Sequence, residues 1–401
     1  MWIHIEPLDV LLFRDSRPFD AGEQARATGI FPPTGLPFAG ALRSRIIKKQ
    51  GIAFSDYKDK ENKKGWDLVG SPDDFGPLSF AGPFLTLGRN HARYPIPRDL
   101  VKTKEGHLER LKLVECAKDS GASSPPCLSC HLVSGGGETN EAEDGYLDDV
   151  EFMHYLKNDV TPKMQGEAVA VNEPRVGIGR NAAGTAEKGL IYTAVYTRLV
   201  KKDKNKERAA FLFRMQSENG GEEALLGEKG IISLGGEARS AYFSVLKEEE
   251  APSLFSEKTK NELLGKLTGK SKFKLCLLTP AVFKKGWLPD GIDEQGEEDN
   301  KSYFFSLGDG VKARLVAAAV GKRREIGGWN LAARGPRPLK RAVPAGSVYF
   351  FQTAKALTKE QANVLMDTFH LKTAMNHSSG DQAARYLRGA GLGLACVGCW
   401  E

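Results

Sequence analysis

Pro7-Leu-Asp-Val-Leu-Leu-Phe-Arg-Asp-Ser-Arg-Pro-Phe-Asp-Ala-Gly-Glu23, followed by Phe31-Pro-Pro-Thr-Gly-Leu-Pro-Phe-Ala-Gly-Ala-Leu-Arg-Ser-Arg45, decides the reading of this chain. A short apolar strand enters a charged turn, and a Pro/Gly loop then delivers a helix. The first turns of that helix carry Arg43 and Arg45, with Arg14, Arg17 and Arg26 in the turn before it. Guanidinium groups and free helix N–H donors at one end of a sheet suit an anionic backbone. RNA is the first candidate for it.

Working outward, the strand (2–13) and the helix (38–48) open a pattern that runs to residue 245. Alternating Ile191–Val200 and Ala209–Met215 bracket a Lys-rich turn and read as a hairpin. A short helix at 222–227, a glycine loop at 234–239 and a strand at 241–245 follow, giving β-α-β-β-α-β, the ferredoxin-like plan. From Lys272 a second copy begins, with strands at 313–320 and 347–352 and a helix whose capping box is Thr358/Gln361. Val364, Leu365, Thr368 and Phe369 are its expected apolar face, and its partner helix after the first strand is hard to see. The expected fold is thus α+β, two ferredoxin-like domains in tandem, 1–250 and 261–401, joined by an acidic linker at 247–260.

With 401 residues, 41% of them apolar, the chain can bury two cores. Its net charge of +6 permits nucleic-acid binding without requiring it. The clustering of Lys and Arg at 43–49, 201–208 and 322–341 matters more. No apolar run approaches the roughly 20 residues that cross a bilayer, and no leader is evident, so a cytoplasmic protein without membrane contact is expected. Two of its cysteine pairs, Cys127/Cys130 and Cys396/Cys399, have C-x-x-C spacing. Together they could close a structural zinc site; otherwise they are plain thiols, and no cofactor is required.

The opening stretch resembles the third-subunit family of the type III-B CRISPR Cmr effector complex, within the RAMP superfamily. Four later blocks carry the same resemblance: Arg175-Val-Gly-Ile-Gly-Arg-Asn181 with Thr185; Leu234-Gly-Gly-Glu-Ala-Arg239; Leu278–Phe283 with Gly286-Trp287; and Gly328-Trp329 with Val343–Phe350. The main departure from it is the segment 102–146. The resemblance implies a non-catalytic RNA-binding subunit that holds the 5′ tag of the guide RNA. It also implies contact with the large polymerase-like subunit and the backbone RAMP subunits, and only indirect contact with target RNA. The region 161–190, with Arg175, Arg180 and Asn181, resembles the β-hairpin thumb of RAMP subunits. The loop bearing Gly389, Gly391 and Gly393 resembles the one RAMP proteins place beside RNA.

Arg239, Arg337, Lys340 and Arg341 complete the expected RNA-binding set, with Trp329, Tyr349 and Phe350 near the last three as possible stacking platforms. The run 201–208 reads as a solvated hairpin tip. Asp15, Asp20 and Glu23 alternate with arginines, which favours ion pairing over a metal-dependent nuclease. A rival reading is a metal-independent endoribonuclease that processes CRISPR precursor RNA. It needs a general base near a 2′-hydroxyl, and His4 or His91 would supply it.

Overall fold

The computed structural model describes residues 1–14, 26–27, 29–116, 128–142, 145–165, 168–180, 183–202, 207–296, 301–307, 310–375 and 381–401, without the side chains of 26, 27, 180, 186–190, 201, 202 and 207. The turn holding Asp15, Arg17, Asp20 and Glu23 therefore lies outside the described residues, as do Cys127, Asn181 and the side chains of Arg26 and Arg180.

Two large antiparallel sheets organise the chain. In the first, the neighbours run Tyr146–Leu147, Ala92–Pro95, Leu78–Leu87, Glu207–Ser217, Trp2–Pro7, Ser240–Val245 and Lys229–Ser233. The helix Gly35–Lys49 crosses one face, burying Phe38, Leu42 and Ile46 at helical spacing. Phe38 meets Phe211 and Phe213 at ring distances of 5.0 and 5.4 Å, so helix and sheet lock through aromatic contacts.

The second sheet runs Ile292–Gln295, Ser302–Ser306, Lys312–Ala319, Val348–Thr353, Lys272–Leu277, Leu394–Cys399 and Lys372–Thr373. Its helix Lys359–Phe369 has the expected reciprocal cap between Thr358 and Gln361. The buried face is Ala362, Leu365, Met366 and Phe369, whereas Val364 and Thr368 point to solvent. The true stripe is therefore rotated from the expected one. Between Leu277 and Lys312 the described residues contain no helix.

One expectation fails for a topological reason. Among the described residues Ala186–Leu199 does not pair with Glu207–Ser217; only the separate short strand Lys201–Lys202 meets Glu207 and Arg208. Ala186–Leu199 instead pairs with Ala170–Arg180 as a projecting ribbon, while Glu207–Ser217 enters the first sheet. The acidic stretch 247–260 is well packed. Its end begins the helix Glu257–Leu267, capped by Ser256 and burying Leu263 and Leu267, while Leu254 is fully buried and Phe255 packs edge-on to Trp2 at 4.7 Å. One apolar core runs through both halves.

The segment 102–146 forms small antiparallel pieces: Leu100–Thr103 between Leu108–Arg110 and Thr139–Glu141, and Lys112–Glu115 against Cys130–Val133. No described helix is long and apolar enough to cross a membrane.

Candidate nucleic-acid interface

The clearest cluster of functional side chains forms where the opening segment meets the ribbon. Leu11 and Thr197 exchange backbone hydrogen bonds, both 2.8 Å, and Val10, Leu12, Ala194 and Tyr196 bury one another in a small core of their own. The glycine loop 234–239 is fastened to the same segment, since the Gly236 amide donates to the Leu12 carbonyl at 2.7 Å. Gly235 has φ +79°, and a Cβ there would lie 2.7 Å from the Leu12 carbonyl oxygen, so only glycine fits. The next residues, Glu237 and Ala238, are also left-handed, at φ 56° and 48°.

This fastening gathers Arg175, Arg198 and Arg239 around Tyr196. Arg239 and Arg175 stand over its ring at 4.9 and 5.2 Å. The Tyr196 hydroxyl donates to Glu237, which also accepts from Arg239 at 2.9 Å. Asp9 lies 3.5–3.8 Å from all three guanidiniums. Glu173 pairs with Arg175 and Arg198, both at 2.6 Å, and these hydrogen bonds hold its carboxyl down at about 2. Three arginines thus face three carboxylates, a neutral, partly exposed network. Arg198 escaped the sequence reading because its neighbours there, Thr197 and Leu199, form no motif; only the ladder places it across from Val171 and beside Tyr196.

Beyond this base the ribbon carries Val176, Ile178 and Ile191 on one face, 72%, 53% and 63% exposed. Ile178 and Ile191 are direct cross-strand partners, making an apolar wedge on a projecting element.

A second basic region projects from the second sheet. Two small hairpins, Arg324–Ile326 with Lys340–Ala342 and Trp329–Asn330 with Gly335–Pro336, form an arm. Lys322, Arg323, Arg334 and Arg341 are exposed on it, beside Trp329 at 60% and Leu331 at 63%. Tyr349 and Phe350 do not join this surface; both are core residues.

Several expected contacts turn out to be internal. Arg43 is buried, donating to the Tyr57 hydroxyl and to the carbonyls of Gly70, Ser71 and Asp74, with Phe75 under it at 4.6 Å. Its place in the helix faces inward, so it fastens the loop 70–75 instead of meeting phosphate. Arg337 holds the same loop, 3.0 Å from the Asp73 carboxylate and 2.6 Å from the Pro72 carbonyl, with Tyr386 under it at 4.0 Å. Arg45 packs near Gly230, its Nε buried without a partner. Lys340 is half-buried in its hairpin, and Arg14 is exposed and bridged to Gly29.

The glycines near the C-terminus are likewise occupied. Gly389 ends the helix Gln382–Gly389 and faces the Phe75 ring. The Gly391 amide donates to the Arg388 carbonyl and that of Gly393 to the Pro280 carbonyl. A Cβ on Gly391 would lie 2.9 Å from the Phe80 carbonyl oxygen. Close packing, not phosphate, explains these glycines. The start of the first helix is closed by the same loop, because a Cβ on Gly35 would collide with the Ala390 carbonyl.

Cys396 and Cys399 lie on one extended strand, Leu394–Cys399. Side chains three apart on a strand leave opposite faces, so the pair forms no zinc knuckle. Burial pushes the Cys396 thiol well above its ordinary range. Among the described residues no three His, Cys, Asp or Glu side chains form a metal cluster. His4 is buried with its Nε2 at 3.2 Å from the Gly88 carbonyl, and His91 is exposed.

Fold and site together define an α+β protein with two antiparallel sheets, an arginine-tyrosine cluster at the root of a projecting ribbon, and a basic arm. Residues 3–400 match the model of the CRISPR-associated protein (Cas_Cmr3) family, and the chain belongs to that family. Among solved structures it is similar to a chain of a type III-B Cmr-β complex bound to cognate target RNA, at 14% identity and TM-score 0.46, covering 87% of this chain and 86% of that one. A chain of the same complex with target RNA and AMPPnP gives 13%, 0.45, 87% and 86%. No curated protein matches.

Proposed function

We propose that this chain is a non-catalytic, RNA-binding subunit of a type III-B Cmr effector complex. It holds the 5′ tag of the guide RNA and bridges the large polymerase-like subunit to the RAMP backbone, in the cytoplasm. The carrying observation is the glycine loop 234–239 fastened on Leu12, which sets Arg239 and Arg175 over Tyr196 at the root of the ribbon. Phosphate contact by these arginines and stacking on the exposed Trp329 of the arm would then hold the tag, and the Ile178/Ile191 face would act as a thumb between guide and target. Membership of the family supports this reading.

Both halves are ferredoxin-like domains on this view, 1–250 and 261–401. Their central strands support it, with order fourth-first-third-second in each: Ser240–Val245, Trp2–Pro7, Glu207–Ser217 and Leu78–Leu87 in one, and Leu394–Cys399, Lys272–Leu277, Val348–Thr353 and Lys312–Ala319 in the other.

The test is RNA crosslinking with mass spectrometry on the assembled complex. Tag nucleotides should crosslink to peptides containing Tyr196, Arg239 or Trp329; crosslinks confined to other faces would overturn the assignment. A metal-free incubation with repeat RNA decides the rival endoribonuclease: intact RNA is expected, and since the His4 imidazole is buried against Gly88, cleavage would make exposed His91 the base to replace.

A further inference from the structure

A cavity of about 860 Å³ opens between the 102–146 segment and the second sheet, and it shares no residue with the arginine cluster or the arm. At its floor is Lys274, on the central strand Lys272–Leu277 and wholly buried. The Lys274 ammonium makes no hydrogen bond. Its nearest carboxylate oxygen, on Asp99, is 4.0 Å away, and the other Asp99 oxygen accepts from the Tyr155 hydroxyl at 2.8 Å. The Tyr155 ring lies 3.5 Å from the ammonium.

One more donor on this wall is incompletely used. Arg110 Nε is buried without a partner, although the rest of the Arg110 guanidinium reaches Asn158 and the Val160 carbonyl. The other acids on the lining are engaged elsewhere: Glu109 accepts from the Gly135 amide, and Glu401 lies 3.8 Å from Lys270. Asp99 is therefore the only carboxylate at the floor to set against Lys274 and Arg110 among the described residues.

A buried ammonium without a hydrogen bond is costly, and a bound anion removes that cost. Phosphate suits a point cation and a guanidinium together, because its oxygens accept several charge-assisted bonds at once. Inorganic phosphate would leave most of this volume empty, whereas cavities of about 300–1,000 Å³ are those that take small organic ligands. We propose that this cavity binds a small phosphate-bearing molecule of mononucleotide size, with Lys274 and Arg110 on the phosphate. Burial holds the Lys274 ammonium down at about 8, so it is still mostly charged at neutral pH and an anion would raise it.

The test is calorimetric titration of the full chain with each of the four ribonucleoside monophosphates and, separately, the matching phosphate-free nucleosides. Saturable binding of at least one monophosphate is expected, with its nucleoside at least tenfold weaker. Lys274→Met should weaken that binding at least tenfold without lowering the melting temperature, because a buried charge is exchanged for an apolar side chain of similar length. Arg110→Gln, at the cavity edge, is the second variant and should also weaken it should Lys274→Met fail to fold. Absence of saturable binding by all four monophosphates overturns the proposal, as does equal affinity in a folded variant. Loss of guide-RNA binding in Lys274→Met would also overturn it, by making the cavity an RNA subsite.

Discussion

Two glycine loops precede the last central strand of their respective sheets, and they have opposite fates. The loop 234–239 lies against the opening segment and sets Arg239 beside Tyr196 at the surface. The loop 389–393 is pressed against Leu78–Leu87 of the other half, with the Gly391 and Gly393 amides both spent on carbonyls. Glycine in such a loop marks a close backbone approach in both cases. Only the other surface decides whether that approach serves packing or recognition.

Replacing Gly391 by Val should be the most damaging change, because φ is +89° and the Phe80 carbonyl oxygen is 2.9 Å from the new Cβ. A loss of about 3 kcal/mol or more is expected in urea unfolding. Full stability with weakened RNA binding would restore this loop to the RNA surface and dissolve the comparison.

Arg43→Leu should cost about 3 kcal/mol, because it removes a buried cation and strands the carbonyls of Gly70, Ser71 and Asp74. The salt dependence of RNA binding by the folded variant should stay unchanged. A flatter slope would show that Arg43 reaches phosphate after all.

Acid should act on the buried side. The His370 Nδ1 accepts from the Val397 amide in the strand after the second loop, and burial holds the imidazole down at about 4. Between pH 6.5 and 4 the unfolded chain binds the proton that the folded chain refuses, so stability falls as pH falls through that window. Unfolding midpoints at pH 7 and 4.5 should differ less in His370→Gln than in the parent; equal differences would remove His370 as a cause.

The smallest expected effects separate the neutral arginine cluster from the arm. Removing Arg323 or Arg341 should lower the slope of log affinity against log salt by about one unit each, if each meets a phosphate. Arg175→Gln should lower it by less, because Asp9 and Glu173 already pair with that guanidinium. Equal slopes for the two classes would mean that the carboxylates swing away when RNA binds.

Much of the architecture was legible in the sequence. Alternation gave most of the central strands and the capping box gave Lys359–Phe369, but the strand beside Glu207–Ser217 is Leu78–Leu87, which the sequence reading passed over, and Ile191–Val200, read in that place, lies in the ribbon. The candidate site was legible only in part. Arg175 and Arg239 were singled out by the family resemblance of their blocks, and Arg198 was missed because a ladder, not a motif, places it.

Local sequence by itself determined which segments become strands, turns and helices, since periodicity, glycine at positive φ and capping act within a few residues. It also determined family membership, which spans residues 3–400. Only the tertiary structure decided which arginines face outward. Arg43 and Arg239 look alike in sequence, but one side chain falls under the loop 70–75 and the other lies at the surface over the Tyr196 ring. The same holds for Cys396 and Cys399, whose spacing fits a knuckle until a central strand sends them to opposite faces. Burial comes from contacts distant in sequence, so the chemistry available to a side chain is fixed by what packs over it.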